Sequence, residues 1–260
     1  MLSNEERSKV VDSLEEAHRT KVQTTRPSAV YPDIEFEDAY AISAEFAKRQ
    51  ADAGEKIIGY KVGLTSIAMQ RNSKINEPDY GYLFESMMYA DGAKLRHADF
   101  CVPRVELELA FILKEPLKGP GITMVDVIRA TEYVMPAIEL IDARVDEPRK
   151  IYDTISDNGA GAGIVMGGTP IRPDDPQLRM VPGLLSVNAE IEETGVAAGV
   201  MGHPANGVAW LANKLSELGE ELKPGQIMLA GSFVRPVHAK VGDTVRADFG
   251  SLGSISIQFV

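Results

Sequence analysis

The chain has 260 residues, 44% hydrophobic and 25% charged, with a formal net charge of −11 and a pI near 4.9. No dense Lys/Arg cluster offsets that acidity, which argues against nucleic-acid binding and means that an anionic ligand needs local positive charge or a metal ion. The single cysteine, Cys101, excludes an intrachain disulfide and suits a reducing, cytoplasmic setting; the polar N-terminus and the lack of a long apolar run predict neither a secretory signal nor a membrane span.

Ser3 and Glu6 form a capping-box pattern ahead of Val10, Val11, Leu14 and Ala17 at helical spacing, which predicts a helix to about residue 19. A second helix is predicted from about Phe36 to Ala53, with Ala39, Ile42, Phe46 and Ala47 facing inward and Gly54 as its stop. Residues 1–54 thus read as a helical N-terminal segment and residues 55–260 as a β-rich body. From Lys56 the pattern alternates, placing Ile58, Tyr60 and Val62 on one strand face and Lys61 on the other, between Gly59 and Gly63. Glu77-Pro-Asp-Tyr-Gly81, which contains Asp79, is by itself an ordinary turn sequence.

The same alternation in Arg104-Val-Glu-Leu-Glu-Leu-Ala110 puts Val105, Leu107 and Leu109 on one face and Glu106 and Glu108 on the other, about 6.6 Å apart at Cα. Thr123 with Asp126 marks a helix through Val134, which Pro136 is expected to break. The strand that follows carries Glu139 on the same face as Ala137 and Ile141. Ionised carboxylates within apolar strands need a compensating partner. Three oxygen ligands suit a hard cation such as Mg2+ or Mn2+, with positions left for water or a chelating substrate. On pattern alone, the alternative is a solvated sheet face lined by glutamates.

Asp157-Asn-Gly-Ala-Gly-Ala-Gly163 is rich in small residues that permit close backbone approach, but it lacks the strand and helix setting of a dinucleotide-binding loop. His203 precedes a predicted helix from Pro204 to about Leu218 and suits a structural role at its start. Short strands and Gly-containing turns follow. Their irregular spacing speaks against repeated βαβ units and predicts an α+β architecture.

Six motifs spread over nearly the whole chain carry a resemblance: Gly59-Tyr-Lys-Val-Gly-Leu-Thr-Ser66, Glu77-Pro-Asp-Tyr-Gly81, Pro103-Arg-Val-Glu-Leu-Glu108, Pro136-Ala-Ile-Glu-Leu-Ile-Asp-Ala-Arg144, Asp153-Thr-Ile-Ser-Asp-Asn158 and Gly202-His-Pro-Ala-Asn-Gly207. Together they resemble the hydratase/decarboxylase family of aromatic meta-cleavage pathways, which shares the fumarylacetoacetate-hydrolase-like fold. The segments Ser73–Gly81, Glu193–Gly199 and His203–Leu215 add a likeness to members that hydrate seven-carbon diacids.

The resemblance implies a mixed, β-rich body with Mg2+, or Mn2+ in its place, held by Glu106, Glu108 and Glu139. It implies Lys61 and Asp79 as acid/base groups, and a small 2-oxo dicarboxylate such as 2-oxo-hept-4-ene-1,7-dioate as the molecule hydrated. Decarboxylation of a 4-oxalocrotonate-type diacid and hydration of 2-hydroxypentadienoate are the alternatives. A homo-oligomer is also implied. Asn158 is expected to border the substrate, and Arg144 and Arg235 are the candidate cations for its distal carboxylate. Between Arg144 and Arg149 the chain has only Val-Asp-Glu-Pro, a shorter loop than in the family members it most resembles.

Overall fold

Two long strands, β5 (Pro103–Leu113) and β6 (Thr131–Asp142), pair antiparallel along nearly their whole length and set Glu106 directly opposite Glu139. The computed structural model describes residues 1–67, 70–71 and 75–260, so Ser73 and Lys74 of the Ser73–Gly81 motif lie outside the described residues. Around the central pair, β1 (Ile57–Gly63), β2 (Asp79–Phe84), β3 (Met88–Tyr89), β7 (Gly161–Met166) and β10 (Ile227–Leu229) complete a mixed sheet in the order β2-β1-β10-β5-β6-β7-β3. The short β11 (Val237–His238) pairs with the start of β5. A second sheet runs β4 (Lys94–Leu95), β13 (Ser254–Phe259), β12 (Thr244–Asp248), β8 (Pro182–Val187) and β9 (Glu190–Val196). This is the α+β arrangement expected from the pattern.

The N-terminal helices α1 (Asn4–Thr20) and α3 (Phe36–Asp52) follow the predicted spans closely, with the short α2 (Pro27–Val30) between them. At the start of α1 the Ser3 N–H donates to the Glu6 carboxylate at 2.8 Å while Ser3 Oγ accepts from the Glu6 N–H, so both partners of the capping box are engaged. Asp38, fully buried on α3, accepts from the Arg7 guanidinium at 2.7 Å and from the Leu2 N–H, and thereby ties α3 to α1. Val10, Leu14, Ile42 and Phe46 join the same continuous apolar core as the sheet residues Val105, Leu107 and Leu140. Cys101 has a structural place: its Sγ lies 3.8 Å from the Ala17 carbonyl, and burial, reinforced by the charge of Asp142, pushes the thiol up to about 11.

Three local expectations are corrected. The helix at Thr123, α4 (Met124–Ala130), ends four residues early because Thr131–Val134 already belong to β6; Thr131 Oγ1 donates back to the Val127 carbonyl at 2.7 Å and closes the helix there. Pro136 therefore interrupts nothing. It sits within β6 opposite Leu109, and its carbonyl still accepts from the Gly167 N–H. Asp79 begins a strand instead of occupying a turn, opposite Gly63 of β1. The later helix, α6 (Ala205–Ser216), falls within its predicted span, with His203 Nδ1 accepting from the Ala205 N–H at 3.1 Å.

Past the end of β6, Arg144 is almost fully buried and is consumed by structure. Its Nε contacts Asp157 Oδ1, and its Nη2 donates to the carbonyls of Asp157 at 2.7 Å and Gly161 at 3.3 Å. This clamp joins β6 to the segment between α5 (Ile151–Ser156) and β7. Removing one partner leaves the other as an uncompensated buried charge, so Arg144→Met or Asp157→Asn should each lose about 3–5 kcal/mol of stability. Urea titration followed by circular dichroism checks this, and an unchanged midpoint contradicts it.

Candidate active site

Alternation on β1 and β2 separates two kinds of surface. Tyr60, Val62, Tyr80 and Tyr82 face the packed side, where Tyr80 stacks on Tyr40 of α3 at 4.8 Å between ring centroids. Lys61, Gly63, Asp79 and Gly81 face the other way. Gly81 has no room for a side chain, since a Cβ there would lie 2.2 Å from the Asn158 carbonyl, and a Cβ on Gly63 would lie 2.1 Å from Asp79 Oδ1 and displace that carboxylate. Asn158, in the left-handed region at φ 53, accepts from the Tyr82 N–H at 2.7 Å and donates to the Tyr82 carbonyl at 3.0 Å. Its side chain is thus spent on holding the neighbouring Gly159 carbonyl in place, and that carbonyl accepts from Lys61 Nζ at 3.0 Å.

Glu106 and Glu108 project from β5 and Glu139 from β6, with one carboxylate oxygen of each lying within 4.8 Å of the other two. Glu108 and Glu139 are fully buried. Glu108 Oε2 accepts from the Gly231 N–H at 2.8 Å. Lys61 Nζ comes within 3.0 Å of Glu139 Oε1, close enough for an ion pair but not aligned as a hydrogen bond. Both oxygens of Glu139, Oε1 of Glu108 and Oδ1 of Asp79 are buried with no hydrogen-bond partner among the described residues. Orphaned carboxylate oxygens converging from two adjacent strands are a hard-donor set, and they fit a divalent cation such as Mg2+ or Mn2+.

The charges act strongly on one another because they share a low-dielectric pocket. Burial first, then the charge of Glu139, pushes Glu106 up to about 8; the same two causes hold Glu108 well above the usual carboxylate range. Burial also lifts Asp79, against the pull of Lys61. For Lys61 burial opposes the charge, but Glu139 and then Asp79 outweigh it and raise the ammonium above its ordinary value.

Lys61, Gly63, Asp79, Glu106, Gly159 and Ala160 line a cavity of about 210 Å3. Lys61, Asp79 and the three glutamates are therefore brought together as expected, whereas three other expected residues are not. Arg144 lies on the opposite side of the sheet, lining a separate cavity with His18 and Asp142, because one step along the chain from Ala143 reverses the side-chain direction. Arg235 is 75% exposed and paired with Glu193 at 2.6 Å. Asn158 reaches the site only through its backbone neighbours. The arginines that do line the cavity, alongside Lys61, are Arg104 and Arg149. Arg104 was within reach of the sequence pattern, two residues before Glu106 on the same strand face; Arg149 lies in a loop that carries no such periodicity.

Because Glu106 has a higher pKa folded than unfolded, the metal-free fold holds extra protons between about pH 4.5 and 8, and its stability falls as pH rises through that window. A bound divalent cation offsets the same repulsion. The Tm increase produced by Mg2+ should therefore grow from pH 5 to pH 9, and Glu106→Gln should reduce it; a pH-independent increase in scanning calorimetry would contradict this reading.

The family model for the fumarylacetoacetate hydrolase C-terminal domain matches residues 56–260. The chain is 51% identical to 2-oxo-hept-4-ene-1,7-dioate hydratase of Escherichia coli, covering 96% of this chain and 97% of that one. It is 39% identical to 2-hydroxyhexa-2,4-dienoate hydratase of Comamonas testosteroni, covering 88% of each. Among solved structures, 4-oxalocrotonate decarboxylase from Pseudomonas putida G7, complexed with magnesium and adipate, superposes with a TM-score of 0.97 at 31% identity, covering 100% of this chain and 99% of that one. A domain-length family match, joined to a convergent acidic triad on paired strands, establishes that this chain belongs to the fumarylacetoacetate hydrolase family, among its hydratase and decarboxylase enzymes.

Proposed function

We propose that the chain is a divalent-metal-dependent hydratase of aromatic catabolism that adds water to 2-oxo-hept-4-ene-1,7-dioate, or to its dienol, to give 4-hydroxy-2-oxoheptane-1,7-dioate. The carrying observation is the convergence of Glu106, Glu108, Glu139, Lys61 and Asp79 on one site, in a chain 51% identical to a hydratase of that substrate. When bound by the three glutamates, Mg2+ or Mn2+ would supply Lewis acidity that stabilises negative charge on the substrate's 2-oxo oxygen.

The remaining work falls to the chain's own groups. In the metal-free site the surrounding carboxylates outweigh Lys61's burial and favour its protonated form, which suits it as a positive charge and donor toward the substrate's carboxylate or developing oxyanion. Asp79 offers a buried Oδ1 with no hydrogen-bond partner among the described residues and a proton affinity raised by burial, which suit it to accept the proton of a water molecule adding at C4. The Gly159 carbonyl holds Lys61 in place. A cytoplasmic setting is supported by the single cysteine, and a homo-oligomer by exposed apolar side chains such as Leu184 and Ile191 on neighbouring strands of the second sheet.

The likeness to 4-oxalocrotonate decarboxylase supports a second reading, since decarboxylation of a vinylogous 2-oxo diacid also builds charge on the 2-oxo oxygen. Product analysis separates the two. Metal-loaded protein given 2-hydroxyhepta-2,4-dienedioate should yield a product heavier by one water, with turnover abolished by chelator and by Glu106→Gln. Lys61→Met and Asp79→Asn should each lower kcat by about 10²–10⁴-fold. Release of CO2 instead would establish the decarboxylase, and turnover of neither kind would overturn both.

A further inference from the structure

We infer that Arg104 and Arg149 form the subsite for the substrate's distal carboxylate, and that Glu147 occupies this subsite as an internal competitor until the substrate displaces it; the inference rests on the hydratase reading above. Arg104 shares its strand face with Glu106 and Glu108 and stands about 6.6 Å from Glu106 at Cα. Arg149 lies where the reactive cavity meets a wider outer one of about 520 Å3, and both cavities are lined by Leu64, Arg149 and Thr154. Substrate entering from the outer cavity therefore meets Arg149 at the junction, while Arg104 lines the reactive cavity beside Lys61 and Glu106.

The two arginines are held by very little. Arg104 and Arg149 are 25% and 13% exposed, and a single oxygen, Glu147 Oε1, serves both: it lies 3.4 Å from Arg104 Nη2 and contacts Arg149 Nη2 directly. Arg149 also donates to the Val145 carbonyl at 3.3 Å. No other hydrogen bond to either guanidinium is found among the described residues, although each carries five N–H donors. Glu147 itself is 64% exposed and lines neither cavity. A pair with so exposed a partner contributes little to stability, so a second carboxylate arriving from the cavity side can replace it at small cost.

An extended carbon chain advances about 1.2 Å per bond, so the terminal carboxyl carbons of a seven-carbon diacid stand about 7 Å apart. A monoacid of the same length reaches the same place with nothing to exchange for Glu147, and leaves the two arginines with their internal partner.

Isothermal titration calorimetry of the Mg2+-loaded protein with two saturated, unreactive ligands, 2-oxoheptanedioate and 2-oxoheptanoate, tests this. The wild-type chain should bind the diacid at least about tenfold more tightly, the equivalent of one charge-assisted contact. Arg104→Gln and Arg149→Gln should each weaken the diacid at least about tenfold more than the monoacid, and Arg149→Lys should restore part of the loss. Glu147→Gln should tighten the diacid several-fold. A wild-type chain without preference, or arginine variants that weaken both ligands equally, would overturn the subsite. An unchanged diacid affinity in Glu147→Gln would overturn the competitor role. Neither ligand can be hydrated, so a retained diacid preference in a chain that fails to hydrate the diene would sink the functional reading and leave the subsite standing.

Discussion

Electrostatic repulsion among buried carboxylates is the constraint around which this molecule is built. Glu106, Glu108, Glu139 and Asp79 occupy one pocket with a single ammonium, Lys61, to oppose them. Left to itself such a cluster resists ionisation, which is why burial and mutual repulsion raise Glu106 and Glu108. The fold tolerates it because β5 and β6 are locked by a long antiparallel ladder with apolar residues on the reverse face, so the unfavourable charges cannot move apart. The same rigidity suits a metal site, where ligands must hold their positions before the ion arrives.

Two arginine arrangements on either side of β6 show how burial divides structural from functional charge. Arg144 is sealed with Asp157, hydrogen-bonded in several directions, and closed to any ligand. Arg104 and Arg149 share one exposed carboxylate and keep donors to spare. A cation with all its donors satisfied in the interior cannot be recruited without a large penalty, whereas one held from the solvent side can exchange partners.

The hairpin of β1 and β2 carries a comparable division within a few residues. Its tyrosines pack on one another, Tyr80 stacks on Tyr40 of α3, and the intervening positions deliver Lys61 and Asp79 to the reactive side. Glycines at 63 and 81 leave space for the Asp79 carboxylate and for the backbone at Asn158, so backbone proximity takes the place of side-chain packing there.

Much of this follows from local rules that act within one segment. Period-two alternation placed Glu106 with Glu108 and isolated Lys61 from Tyr60 and Val62, while the capping box and apolar spacing located the first helices, since strand pleat and helical turn depend only on neighbours in the chain. The same rules misjudged Thr131–Val134 and Asp79, where pairing with a distant strand outweighs the local helix or turn preference. Strand alternation could place Arg104 on the face of Glu106, but which of the loop arginines meets the cavity was beyond any local pattern. Arg144, Arg149 and Arg235 all sit in connecting segments, and their directions depend on Asp157, Glu147 and Glu193, residues that only the folded chain brings beside them. By itself the sequence determined the chemistry available, three carboxylates, a lysine and an aspartate in recognisable motifs. The tertiary structure alone decided their register, their burial and the choice of cations at the rim, because a charge's role depends on its solvent exposure and its partners across space.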